Sequence, residues 1–528
     1  MARLASHRTS LVRGFIPNLE PLLGRTPRGS LAQSLVGSES GGGDSNYRWP
    51  MSSPQSSASN MDASGLDRIR EIDEDEDGPR PVFAAGSMKS SIFNLMAATL
   101  GAGALSLPFA VVQSGVFLAI PLCLLMGGLC LLSVHLIICA IERTQKNSYE
   151  EIAVISFGKK FGLAVEFAII FFCFGTAVAY LISVGDIGMD IVNALFPPCD
   201  PHDTTPCPWW KELLVNRPVF LTIMTITTML PMAMAEQINE LRFVCVFGVA
   251  CIAWLVLVVF IVMLRTWYRE AELLATYSEA KSMLHWEVFW PTTSLADAVR
   301  ATSLFIFAFC CQPNVPGIYC ELERKSFRRM HKVTLRAVII IFVMYAIIGI
   351  SGALLFGNKT QANILSNLEP YLHAGDLWVI SAYIAIFLAV VLAYPLNIFP
   401  IRFAVETVLV IRFHIEDTPS TQNIVVIVTV LCSLFCGIMI PSINIVFSFV
   451  GATAGTFVCF VAPAVFFLQT VNGAYTVPIK YKAWFLLVVG SFLGCIGTYC
   501  AFADMMMMWF PVWTASSPFF QLLNNQEV

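Results

Sequence analysis

SIFNLMAATLGAGALSLPFAVVQ, Ser91 to Gln113, is apolar and long enough to cross a bilayer. Gly101-Ala102-Gly103 stands near its middle, followed by Ser106-Leu107-Pro108. Glycine gives a helix no side-chain support, and proline withholds a backbone donor. A membrane helix that breaks at mid-depth must satisfy its freed backbone groups on protein or in a water-filled cavity. Transporters use such breaks to present helix ends and bare backbone to a solute. The competing reading is that the glycines serve close helix packing.

The rest of the chain supports a membrane setting. Of 528 residues, 56% are hydrophobic and 13% are charged, and the mean hydropathy is +0.70. A soluble domain carries about a quarter charged residues. The deficit comes from eleven apolar spans, predicted at 90–111, 116–140, 163–185, 218–235, 243–265, 297–316, 335–356, 377–398, 423–441, 445–468 and 484–509. The net charge of −4 points to no partner, and nothing suggests nucleic acid. Most of the 16 cysteines lie inside apolar runs, and no CxxC, HExxH or GxxxxGK[ST] occurs. No cofactor, metal or ATP is implied. No nucleophile–base set appears within the spans, which argues against a membrane enzyme.

The sixth span contains a second interruption, FAFCCQPNVPG, Phe307 to Gly317, where Pro313 and Pro316 flank Asn314. The two broken helices start five spans apart, an odd number, so they cross the bilayer in opposite senses. Spans 1–5 and 6–10 can then be inverted copies, with span 11 an addition. That arrangement points to a binding site at the midplane. The expected fold is an all-α polytopic membrane protein with 11 transmembrane helices, a five-plus-five inverted repeat and interrupted helices 1 and 6. A disordered N-terminal tail precedes it.

The breaks suggest a ligand. A half-helix N-terminus offers free N–H groups and partial positive charge, which suits a carboxylate. Unwound carbonyls suit an ammonium group, so an α-amino acid fits both. Thr99, Gly101, Ala102 and Gly103 are candidates at the first break. Phe307, Ala308, Phe309 and Cys310 would supply carbonyls at the second, and Tyr180 in span 3 is a candidate gate or pocket residue. Ordinary helix packing is the alternative for each of them.

Residues 1–86 are rich in Ser, Gly, Pro and Arg and show no apolar periodicity, so they read as a disordered cytoplasmic tail. The transporter domain is expected over 87–511, with a short C-terminal tail at 512–528. With the N-terminus inside, the inner loops hold roughly twice the Lys and Arg of the outer ones, led by ERKSFRRMHKVTLR, Glu323 to Arg336. Asn358-Lys359-Thr360, a glycosylation sequon, then falls outside. So do Cys199 and Cys207, which an oxidising compartment would let pair as a disulfide. Ionisable residues inside spans include Glu166, Asp186, Asp190 and Asp504, while Asp297 and Arg300 stand at i, i+3 and could pair.

Several stretches together resemble the amino acid/auxin permease family. SIFNLMAATLGAGALSLPFA is similar to its first helix and NSYEEIAVISFGKKFG to the segment before its third. FAFCCQPNVPGIYCEL resembles its sixth helix and YAIIGISGALLFGNKTQANIL its seventh. AYPLNIFPIR and FSFVGATAGTFVCFVAPAVFFL look like the end of its eighth helix and its tenth. The ordered matches run from about residue 88 to 470 and imply secondary active transport of amino acids on the five-plus-five fold, within the amino acid-polyamine-organocation superfamily. Ala97 stands where the sodium-coupled branch has an asparagine ligand, and Val391 and Ala393 where it has threonines. An aliphatic side chain offers Na⁺ no oxygen, so the expectation is a proton-coupled transporter working by alternating access. Sodium symport and an amino-acid sensor on the same fold are the alternatives. The membrane is that of the cell surface or of a lysosome- or vacuole-like organelle.

Overall fold

Each apolar run becomes a helix, and most helices extend beyond the run that announced them. The computed structural model describes residues 86–101, 103–195, 215–234, 241–276, 284–291, 294–413, 418–471 and 477–509. All belong to one compact unit, Pro79–Val528. The expected tails, Ala102, and the Cys199 and Cys207 pair lie outside the described residues.

Span 1 is two helices, α1 (Met88–Thr99) and α2 (Gly103–Ser114), bent by 60° across the break. Ser87 caps α1, its hydroxyl accepting from Ser90 N at 3.2 Å. Leu100 leaves helical geometry with ψ at 83°, and the helix restarts at Gly103. Pro108 falls in the second turn of α2. It lies past the first turn, so its missing N–H leaves Ala104 O without the usual i+4 donor.

Span 2 is α3 (Val116–Thr144), followed by the short α4 (Tyr149–Phe157) and span 3, α5 (Lys159–Leu195). Span 4 covers 217–234. It runs through α6 (Arg217–Met224), a π-helical turn at Thr225–Met229 and α7 (Leu230–Met234). Span 5 is α8 (Leu241–Thr276).

Span 6 is again two helices, α9 (Leu295–Ala308) and α10 (Val315–Glu321), joined by a 3₁₀ turn at Gln312–Asn314. The prolines explain the gap. A continuous helix needs bonds from residues 313 and 316 to the carbonyls of 309 and 312, and neither proline has an N–H.

Span 7 is α11 (Phe327–Phe356). A polar connection carrying α12 (Ile364–His373) follows, then span 8, α13 (Leu377–Phe413). Span 9 is α14 (Pro419–Met439). Span 10 covers 443–470, from α15 (Ile443–Val450) through π-helical turns at Gly451–Gly455 and Phe457–Val461 to α16 (Ala462–Thr470). Span 11 is α17 (Val477–Trp509). No strand occurs among the described residues.

α17 packs on span 10 with one face and leaves Phe485, Val488 and Phe492 exposed along the other. That apolar outer face is what lipid requires. Trp267, Trp290 and Trp509 are exposed at span ends, as expected of an interfacial belt.

Candidate functional site

The two interruptions meet. A Cβ on Gly103 would lie 3.3 Å from the Ala308 Cα and 3.5 Å from the Phe307 ring, so glycine lets α2 start this close to the end of α9 without the tight contact a larger residue would make. A Cβ on Gly101 would lie 2.9 Å from the Tyr180 hydroxyl, which places that hydroxyl over the bare backbone of the first break.

A third residue ties the breaks together. Tyr345 of α11 is buried, and its hydroxyl lies 3.1 Å from Thr99 O and 2.9 Å from Ala308 O. These are the last helical carbonyls of α1 and α9, groups that a terminated helix leaves without intrahelical partners. One phenolic proton is shared between them. Sequence reasoning missed Tyr345, because a lone tyrosine in an apolar run reads as core.

A cavity of about 500 Å³ runs from the breaks toward Glu150, Glu321 and Pro400. Thr99, Gly101, Gly103, Tyr180, Phe307, Ala308 and Cys310 all line it. Phe309 does not: its ring packs edge-on against Tyr345 at 5.4 Å between centroids. Ala102 lies outside the described residues. Phe307 closes one wall, stacked on Phe447 at 4.2 Å and set against Phe172 at 5.6 Å.

The polar groups are partly committed. The Thr99 hydroxyl donates to Leu95 O at 2.7 Å, which leaves its oxygen able to accept. Phe307 O accepts from Cys310 N at 3.2 Å, so of the proposed carbonyls two already hold one bond each. A carbonyl has a second lone pair and can take another donor. Near the cavity mouth, burial raises the Glu150 carboxyl above the ordinary carboxylate range. Ala97 and Ala393 also line the cavity, and their methyl groups offer a cation no oxygen ligand.

On the far side of the breaks lies a second cavity, of about 700 Å³. Its lining is charged: Asp186, Asp190, Arg217, Arg300, Glu369 and Asp504. Asp297 and Arg300 do pair, at 2.7 Å, as their spacing suggested. Arg300 also grips Asp504 of α17, with Nη2 2.6 Å from Oδ1 and Nε 3.0 Å from Oδ2. Arg217 holds Asp186 at 3.0 Å. Asn358 is exposed in a 3₁₀ turn between spans 7 and 8, the sequon threonine donating to Gly357 O at 2.7 Å. No cluster of three metal-ligating side chains occurs among the described residues.

The chain is 24% identical over 463 residues to Vacuolar amino acid transporter 5 of Saccharomyces cerevisiae, covering 79% of this chain and 96% of that protein. It is 24% identical over 431 residues to Sodium-coupled neutral amino acid symporter 2 of Danio rerio, covering 78% and 81%. In structure it resembles a variant of the manganese transporter of Eremococcus coleocola, with a TM-score of 0.52 at 12% identity over 83% of this chain and 91% of the other. That likeness concerns the fold alone. The profile of the family described as "Transmembrane amino acid transporter protein" matches residues 84–503. The chain therefore belongs to the transmembrane amino acid transporter protein family: it is a multi-pass membrane protein that carries amino acids across the bilayer, and not an enzyme.

Proposed function

We propose that the chain is a secondary active transporter that moves amino acids by alternating access, driven by a proton gradient. The observation that carries this reading is the meeting of two broken helices at a cavity, their terminal carbonyls held by one Tyr345 hydroxyl. The amino acid carboxylate faces the N-terminus of α2 near Gly103, and its ammonium group faces the carbonyls near Phe307 and Ala308. Tyr180 closes over Gly101.

With the N-terminus in the cytoplasm, the smaller cavity opens inward and the charged one outward. Spans 1–5 and 6–10 form the inverted pair, and rocking one set against the other exchanges the two openings. Asn358 then carries a glycan and Cys199 pairs with Cys207, both on the outer or luminal side. The vacuolar name of the yeast relative favours an acidic organelle, with the cell surface as the second location. The zebrafish relative is named for sodium coupling. The methyl lining at Ala97 and Ala393 favours protons over sodium here.

The test is uptake of radiolabelled amino acids into proteoliposomes under an imposed proton gradient, then under an imposed sodium gradient. Accumulation driven by protons alone supports the reading. Accumulation driven by sodium alone moves the chain to the sodium-coupled class. Absence of uptake under both gradients overturns it in favour of an amino-acid sensor on the same fold.

A further inference from the structure

Asp190 sits in the last turns of α5 and lines the outer cavity. Tyr383 of α13 is fully buried beside it. The Tyr383 hydroxyl has two acceptors within reach: Leu365 O, and Asp190 Oδ2 at 3.3 Å. It has one proton to give. When Asp190 is ionised, its charge makes it the stronger acceptor and draws the phenolic proton away from Leu365. When Asp190 is protonated, the acid donates to the phenol oxygen and the phenol donates to Leu365 O. Every group in the row is then satisfied, and the bonds run in one direction from Asp190 to Leu365.

Leu365 is in the first turn of α12, the helix that caps the outer cavity. Gln361, Asn363, Ser366 and Glu369 of that segment line the cavity. Its other ties do not titrate. Ser106 of α2 donates to Ala362 O at 2.9 Å, and Asn363 Oδ1 accepts from Leu365 N at 3.1 Å. The Tyr383 bond is therefore the hydrogen bond across to α13 that responds to a proton, with Glu369 of α12 adding a titratable charge in the same cavity.

We infer that Asp190 is a proton-binding site, and that Tyr383 passes its occupancy to α12, drawing the cap helix onto spans 3 and 8 when the proton is bound. The inference rests on the proton-coupled reading above and names the group that binds the coupling ion from the outer side. The neighbouring charges are consistent with it. On α5 itself Asp186 is already held by Arg217 of α6. On α12, Glu369 lies 3.4 Å from His373. Across the cavity, Arg300 is committed to Asp297 and Asp504. α14 brings only the thiols Cys432 and Cys436, α15 brings no titratable group, and the carboxylates of α4 lie at the opposite end of α5. Among the described residues, Asp190 enters no ion pair.

The experiment compares the wild type with Asp190→Asn and Tyr383→Phe in proteoliposomes, using a radiolabelled mixture of the protein amino acids. It measures uptake against external pH and against an imposed proton gradient. An asparagine amide donates to Tyr383 at every pH, so Asp190→Asn is fixed in the loaded arrangement. Its exchange should lose its dependence on pH, and its gradient-driven accumulation should fall to the level seen without a gradient. If the wild type itself does not respond to protons, the proton-coupled reading falls and takes this site with it. If the wild type responds and Asp190→Asn responds equally, the site is overturned while the reading stands. Should Asp190→Asn fail to fold, infrared difference spectra between acidic and alkaline buffer decide the question on Tyr383→Phe. The carboxylic acid carbonyl band should shift to higher frequency than in the wild type, because the acid has lost its acceptor. An unshifted band overturns the relay.

Discussion

Replacing Tyr345 with phenylalanine removes one oxygen and leaves the ring where it is. The edge-on contact with Phe309 at 5.4 Å survives, so no packing void opens. The loss is one proton donor shared by Ala308 O and Thr99 O; Thr99 O keeps its bond from Gly101 N at 3.0 Å, so Ala308 O is the acceptor left bare. A buried acceptor left without its partner costs about 1–3 kcal/mol. Both residues line the cavity, so water can reach these oxygens and the cost falls near the lower figure, about 1 kcal/mol. If that tie sets the spacing of the two breaks around the solute, 1 kcal/mol corresponds to about a fivefold rise in KM. Tyr345→Ala removes the ring as well and should cost about 3–5 kcal/mol, enough to lower the thermal midpoint clearly. The assay is saturable uptake of radiolabelled amino acid in proteoliposomes, paired with thermal unfolding in detergent. A Tyr345→Phe protein with wild-type KM and wild-type midpoint would refute the argument that this hydroxyl holds the breaks together. A Tyr345→Ala protein no worse than Tyr345→Phe would do the same for the packing estimate.

Three further outcomes follow from the same geometry. Gly101→Ala places a Cβ 2.9 Å from the Tyr180 hydroxyl and should reduce uptake at least tenfold, and the added Tyr180→Phe change, which leaves the nearest ring carbon 3.9 Å away, should restore part of it. Asp504→Asn strips Arg300 of a charged partner but leaves it Asp297, so unfolding measurements should show a loss of about 1.5–3 kcal/mol rather than collapse. Glu150 titrates above the ordinary carboxylate range in the folded chain because it is buried, so its neutral form contributes stability that is full below the unfolded-state pKa and is lost as pH rises through the folded one. Glu150→Gln should match the wild-type thermal midpoint in acid and exceed it above that range.

The two breaks were legible because glycine and proline act locally. Gly101 and Gly103, and Pro313 and Pro316, weaken a helix locally and do so in pairs, whereas Pro395 and Pro400 sit inside the continuous α13. The Asp297–Arg300 pair was legible for the same reason, since i, i+3 spacing on a helix sets the contact. What the sequence withheld was distance along the chain. Asp504 meets Arg300 across 204 positions, and Tyr345 meets Thr99 across 246. No periodicity reports such a meeting. Phe309 is a candidate for its carbonyl, and nothing in the sequence signals that its ring packs on Tyr345 of α11. The alanines at 97 and 393 are a middle case. Their chemistry was readable, and only the fold shows them facing the same space.

Phe307, stacked on Phe447, walls the smaller cavity, and the charged cavity lies on the other side of the breaks, the outer side if the N-terminus is cytoplasmic. Two chambers that admit water conduct the membrane potential inward from either side, so most of the voltage drops across the few side chains left between them. A unit charge moved through the full drop gains about 2.3 kcal/mol per 100 mV. With the N-terminus inside, Asp190 lines the chamber open to the outer side and feels little of the drop. Electrophysiology should therefore find the voltage dependence in the carrying step, with loading from the outer chamber nearly insensitive to potential.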